Sequence, residues 1–178
     1  MLEDLSKIEW SKLQHAFGAA DDVPDLLREL ASADPDTRRE ALEELESSIW
    51  HQNTIYEATP HAVPFLIELA QNQVPIDYPL LALVAEIVRG AFYLDADLED
   101  ERSGTPEHLA KRRQEVQFVR LARQAVIEHA GPLLGLLESE DRFARELSIF
   151  ILATSAGVGS DVAHKVLDSI FESSLRPD

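Results

Sequence analysis

AVPFLIELA, residues 62–70, has two partial copies elsewhere in the chain: DVPDLLREL at 22–30 and AGPLLGLLE at 130–138. Each copy sets a proline two residues before a leucine, at Pro24–Leu26, Pro64–Leu66 and Pro132–Leu134. The first two lie 40 residues apart and the third 68 further on. A spacing near 40 is that of stacked helix pairs, and the excess in the second interval is about one insertion long. Such units cannot bury their apolar faces alone, so the pattern predicts an all-α chain in which neighbouring hairpins cover one another.

The residues after each word read as a second helix. Val23, Leu26, Leu27 and Leu30 recur at helical spacing, and Asp34-Pro35 then supplies an N-cap and a first-turn proline, whose missing N–H has no helical partner to lose. Ala41, Leu42, Leu45 and Ile49 form the inward stripe of the next helix, with acids on the rest of its surface. PLLALVAEIVRGAF, 79–92, is apolar nearly all round and belongs in the middle of the array. In the last unit Ser139 or Asp141 caps a helix with Phe143, Leu147, Phe150, Ile151 and Thr154 inward. Residues 4–17 are expected as a capping helix with Leu5, Ile8, Leu13 and Phe17 inward, stopped by Gly18. Residues 160–175 form a terminal one, with Val162, Ala163, Val166, Leu167, Ile170 and Phe171 inward. No alternating run is long enough to predict a strand.

The pattern of helix, Asp-Pro turn, arginine, then alanine and leucine, in ASADPDTRREALEEL (31–45) and more loosely in LESEDRFARELSIFIL (137–152), resembles HEAT repeats. HAFGAADDVPDLL (15–27) and HQNTIYEATPHAVPFL (51–66) are similar to stretches of bacterial HEAT-repeat proteins. The resemblance covers roughly residues 10–156, and VPIDYPLLALVAE (74–86) departs from it in having no arginine at its turn. It implies a HEAT-like α-α solenoid, a superhelical stack of antiparallel helix pairs. The expected divisions are a capping helix at 1–18, repeats at 20–52 and 58–94, an acidic insertion at 95–106, a third repeat at 107–156 with a long first helix, and a final helix at 160–175. It also implies macromolecular binding without a cofactor.

Composition narrows the chemistry. Sixteen basic residues face 33 acidic ones, a formal charge of -17 over 178 residues. That field repels phosphate backbones and anionic membranes and attracts basic partners. The absence of cysteine excludes disulfides and thiolate metal sites, and no apolar run reaches the length of a membrane span. MLEDLSKIEW lacks the order of a signal peptide, so a cytoplasmic location is expected.

IWHQNTIYEATPHAVPFLIEL, 49–69, gathers Trp50, His51, Tyr56, Glu57 and His61, a set that a metal or an acid/base reaction would use. Thr59-Pro60 reads as the start of a helix and breaks the alignment of Glu57 with His61, and no HExxH-type spacing supplies further ligands. The segment instead reads as an elbow. Trp50 and Tyr56 fill space there, and His51 and Gln52 bond the free groups at helix ends. His15 precedes its repeat word as His51 does, which puts both on one rim as candidate partner contacts with Gln52, Tyr56, Glu57 and His61.

YLDADLEDERSGTPEHLAKRRQEVQFVR, 93–120, adds Asp95, Asp97, Glu99, Asp100 and Glu101 as further candidate contacts. Its glycine and final acid are out of register for an EF-hand calcium loop. Lys111, Arg112, Arg113, Arg120 and Arg123 follow, and Arg112 and Arg123 share an arc with Val116 and Val119, so either the helix is broken there or these arginines lie over apolar surface and pair with acids. The simplest arrangement folds the acidic loop on this helix. Three functions stand: a non-enzymatic scaffold binding a basic protein, an immunity or antitoxin-like inhibitor whose acids occupy a cationic toxin or nuclease cleft, and a nucleic-acid-processing enzyme. The last lacks a nucleophile motif, a phosphate loop and a basic groove.

Overall fold

A computed structural model describes residues 2–72, 77–90 and 105–156, which are mostly helical. The chain begins with 3-10 turns at Leu2–Lys7 and Trp10–Lys12 and a two-residue antiparallel pair, β1 (Gln14–His15) with β2 (Gly18–Ala19). Helices α1 (Val23–Glu29), α2 (Pro35–Ile49), α3 (Thr59–Asn72) and α4 (Tyr78–Arg89) follow. After them come α5 (Pro106–Glu128), α6 (Gly131–Leu136) and α7 (Arg142–Ser155). In sequence-adjacent pairs, α1 packs on α2, α3 on α4 and α6 on α7. Across units, α3 packs most extensively on α5, and α4 on α7. Among the described residues, no helix is long and apolar enough to cross a membrane.

The caps follow their residue types. Asp34 accepts from the N–H groups of Asp36 and Thr37, Asp77 from Leu80 at 3.1 Å, and Asp141 from Ala144 at 3.0 Å. Two of these turns repeat atom for atom. Asp34 N–H donates to Ser32 Oγ (3.2 Å) while Arg38 reaches back to the Ser32 carbonyl (2.8 Å). Asp141 N–H donates to Ser139 Oγ (3.1 Å) while Arg145 reaches the Ser139 carbonyl (2.5 Å). The corresponding turn before α4 has Leu81 in place of that arginine, and there the Tyr78 hydroxyl donates to Asp141, joining the start of α4 to the start of α7.

That bond has a consequence in pH. It is the largest influence holding the Asp141 carboxyl below the usual range, with backbone N–H bonds adding to it, and it raises the Tyr78 phenol. A depressed carboxyl stabilises the fold above the ordinary aspartate value of about 3.9, and that contribution disappears as pH falls through the lower folded value. A raised phenol stabilises below about pH 10 and loses its effect as pH rises through the folded value. Tyr78→Phe is therefore expected to lower the urea midpoint at pH 7, with the gap to the wild type closing toward pH 2. A gap independent of pH would show that the bond does not form.

Two expectations change. The single helix over 4–17 is instead 3-10 turns and a hairpin, and Phe17 is 69% exposed rather than inward. Gly18, at φ +129, permits the hairpin's tight reversal. In α7 the buried side is Ala144, Ser148, Ile151 and Leu152, with Phe143 and Phe150 exposed at 53% and 43%. The bulky Phe143 meets the Tyr78 ring edge-on, centroids 5.1 Å apart. The Arg123 guanidinium bonds Val88 O (2.7 Å) and Arg89 O (3.2 Å), closing the C-terminus of α4, while the acids expected to pair with it at 95–101 lie outside the described residues. The central position of 79–89 matches expectation, with Leu80, Leu81, Leu83, Val84, Ile87 and Val88 all buried. The acidic insertion through residue 104 and the final helix at 160–175 lie outside the described residues.

Candidate functional site

The elbow at 49–61 resolves into backbone accounting. A helix leaves its last carbonyls without partners. Trp50 N–H bonds Glu46 O at 3.1 Å, Ala16 N–H bonds Ser48 O at 2.9 Å, and the Thr59 hydroxyl donates to Ile49 O at 2.5 Å while accepting from Tyr56 N–H at 3.0 Å. The last carbonyls of α2 are thus reached by the hairpin and by Thr59, not by His51 and Gln52 as the sequence suggested. Thr59 is already the first residue of α3, one place beyond the expected cap, because its hydroxyl turns back to the preceding helix. Gln52 and Asn53 adopt positive φ (51° and 63°), and Ala58 N–H bonds Gln14 O at 3.0 Å, tying the elbow to the hairpin.

His15 and His51 both meet Phe17. The Phe17 ring lies between them, edge-on to both, with centroids 6.1 Å from His15 and 5.5 Å from His51. His15 is committed, however: its Nδ1 accepts from Phe17 N–H at 3.0 Å and its Nε2 meets Asp22 at 2.9 Å, so it is a buried brace. Gln52 is exposed and Tyr56 and Glu57 are half-buried. His61 is separate from this cluster, and Asp95, Asp97, Glu99, Asp100 and Glu101 fall outside the described residues.

His61 instead opens a groove of about 980 Å³. On α3, His61, Pro64, Phe65, Glu68, Gln71 and Asn72 follow helical spacing along one face. On α5, Leu121, Gln124, Ala125 and Glu128 do the same, and His129, Gly131 and Pro132 close the far side. The N-terminal turn, with Asp4, Lys7 and Ile8, forms one end. That end is fixed by Trp10, whose Nε1 donates to Leu5 O at 2.9 Å and whose ring meets His61 edge-on at 6.5 Å.

The lining mixes apolar and polar side chains. Phe65 is buried, and Leu121 is 41% exposed. Lys7 pairs with Asp4 at 2.5 Å, and Glu68 on α3 and Glu128 on α5 also line the groove. Gln124 donates to Glu128 at 2.8 Å, and Asn72 donates to the Glu68 carbonyl at 2.7 Å. His129 Nδ1 bonds Ala125 O at 3.0 Å, which fixes that nitrogen as the protonated one and leaves Nε2 for other contacts. Such a lining suits cations and hydrogen-bond donors. Among the described residues, no three His, Asp or Glu side chains form a group that could hold a metal ion.

Glu68, Leu121, Glu128 and His129 were not anticipated as site residues. A signal for the two histidines was present: HAVP at 61–64 and HAGP at 129–132 extend the repeat word by one residue and put a histidine three before each proline. The repeat thus delivers both imidazoles to one groove. No family model, curated protein or solved structure matches this chain.

Proposed function

We propose that this protein is a non-enzymatic, HEAT-like helical-repeat module that offers an acidic surface to a basic protein partner. The repeated Ser–Asp–Arg turns at 32–38 and 139–145 support the repeat reading, since two segments 107 residues apart use the same bonds to open a helix. The observation that carries the partner's chemistry is the formal charge of -17. At low salt that field raises the encounter rate with cations and disfavours nucleic acid and anionic membranes. No cofactor or metal enters this reading.

An interaction screen with the immobilised protein tests it. Retained proteins are expected to be basic and to elute as NaCl rises toward about 1 M, where charges are screened beyond ~3 Å. Retention of neutral or acidic proteins, unaffected by salt, would count against the proposal, as would tight duplex DNA binding at physiological salt. A retained nuclease or toxin whose activity falls on binding would specify the module as an inhibitor.

A further inference from the structure

We infer that the outer face of α7 binds a second copy of this chain, the two α7 helices crossing antiparallel about a two-fold axis beside Leu147. The helix is apolar on two sides. One side, with Ala144, Ser148, Ile151 and Leu152, is buried, and α7 packs on α4, α5 and α6. The other carries Phe143 and Phe150, both exposed, with the half-buried Leu147 between them. At 100° per residue these three fall within about 60° of one another, a single stripe two helical turns long. A helix of a repeat stack that is apolar on two sides takes a neighbour on each.

The stripe is held in place before anything docks. Phe143 meets the Tyr78 ring edge-on, and the Tyr78 hydroxyl donates to Asp141, the cap of α7. A ring already fixed loses little freedom on binding.

Charge selects the occupant. The protein as a whole draws cations, but α7 holds only three charged residues, and each is satisfied within its own chain: Arg142 by Glu146 at 2.8 Å, and Arg145 by the Ser139 carbonyl at 2.5 Å. This face therefore gives a basic partner no carboxylate to reach, and it does not repel its own copy. The spacing completes the match. Phe143 and Phe150 lie equally far from a point between Glu146 and Leu147, so a two-fold axis there sets each Phe143 opposite Phe150 of the second copy. The exposed parts of the four rings bring on the order of 400 Å² to the contact, against the ~1,200 Å² or more of a stable complex, so the dimer is weak and forms at high concentration.

Sedimentation velocity on the full chain tests it. The wild type is expected to pass from one chain to two as its concentration rises to about 0.5 mM, and more readily in about 0.5 M NaCl, because salt screens the repulsion between two chains of charge -17. That salt dependence is opposite to the one expected for a basic partner, so failure of either reading is told from failure of the other. Phe150→Glu is expected to weaken self-association about tenfold or more, since each dimer loses two rings and gains two like charges. Phe17→Glu makes the same substitution at an exposed phenylalanine away from α7 and is expected to change it less than about twofold.

Engineered cysteines give a second measurement, because the chain has none of its own. Leu147→Cys, beside the axis, is expected to form a disulfide between chains on oxidation. Ala153→Cys, exposed on the same helix, is not: its two copies stand about 20 Å apart, and a disulfide needs Cβ atoms within about 4.5 Å. Circular dichroism melts establish which variants keep the fold, and if Phe150→Glu does not, the cysteine pair carries the test. A wild type that stays one chain at both salt concentrations would overturn the inference and leave the stripe to residues 157–178 or to another protein. Equal effects of Phe150→Glu and Phe17→Glu, association that weakens as salt rises, or equal cross-linking from the two cysteines would overturn it too.

Discussion

Gly90→Ala is expected to destabilise the protein by roughly 2–4 kcal/mol, because backbone strain and crowding act at the same atom. Gly90 ends α4 at φ +71° and ψ -179°, a region that only glycine occupies without strain. Its N–H is already shared between Glu86 O and Ile87 O, both at 3.2 Å, so the chain cannot rotate away without releasing the end of the helix. A Cβ there would stand 2.9 Å from Val119 Cγ1, inside the closest approach that side chains make. Val119 is itself buried on α5, so relief would require moving one helix against another. Urea denaturation of Gly90→Ala, Val119→Ala and the double variant separates the two causes. The double variant should be more stable than the sum of the single losses predicts, since the smaller side chain removes the crowding, but it should not recover the strain. A change below about 0.5 kcal/mol in Gly90→Ala would mean that this contact is absent.

Thr59→Val should cost about 2–4 kcal/mol despite almost unchanged shape. Thr59 is fully buried, and its hydroxyl serves two backbone groups, the Ile49 carbonyl and the Tyr56 N–H. Valine removes the hydroxyl from both, and a buried backbone group that loses its partner costs about 1–3 kcal/mol. Thr59→Ser keeps the hydroxyl and gives up one methyl, worth about 1 kcal/mol. The ordering Thr, then Ser, then Val in urea midpoint is the expected result. Equal losses for Ser and Val would show that the methyl matters and the elbow bonds do not. Amide exchange adds a local measure, since the Tyr56 N–H should lose protection in Val and retain it in Ser.

These two sites differ in how far they could be foreseen. Thr59-Pro60 was legible as a helix start, because a proline in the first turn loses no hydrogen bond. That the threonine would turn back to α2 was not, since the partner carbonyl is ten residues away and its position depends on the turn at 51–53. The same limit explains α7. Its helical period was plain, yet the face chosen from the largest apolar residues, with Phe143 and Phe150 inward, was wrong. Hydrophobicity ranks residues by the water they shed, whereas a close helix contact is set by how little space the facing side chains take. Here the covered face carries Ala144 and Ser148 beside Ile151 and Leu152. The N-terminal segment failed for a related reason: a few apolar residues at helical spacing do not outweigh a Gly-containing reversal whose hydrogen bonds go to α2 and the elbow.

What the sequence determined by itself was local and periodic. It specified the helices from residue 23 to 89, the Asp34 cap, the burial of α4 and the recurrence of the proline words, because each depends on contacts within a few residues or on a repeated spacing. Only the tertiary structure decided which helical face is covered, where Arg123 spends its donors, and that His61 and His129 meet in one groove with Glu68 and Glu128. Those outcomes require two elements distant in the chain to be placed in register. That registration comes from side-chain volumes and helix-end carbonyls competing across the whole core, and no short window of sequence contains both competitors.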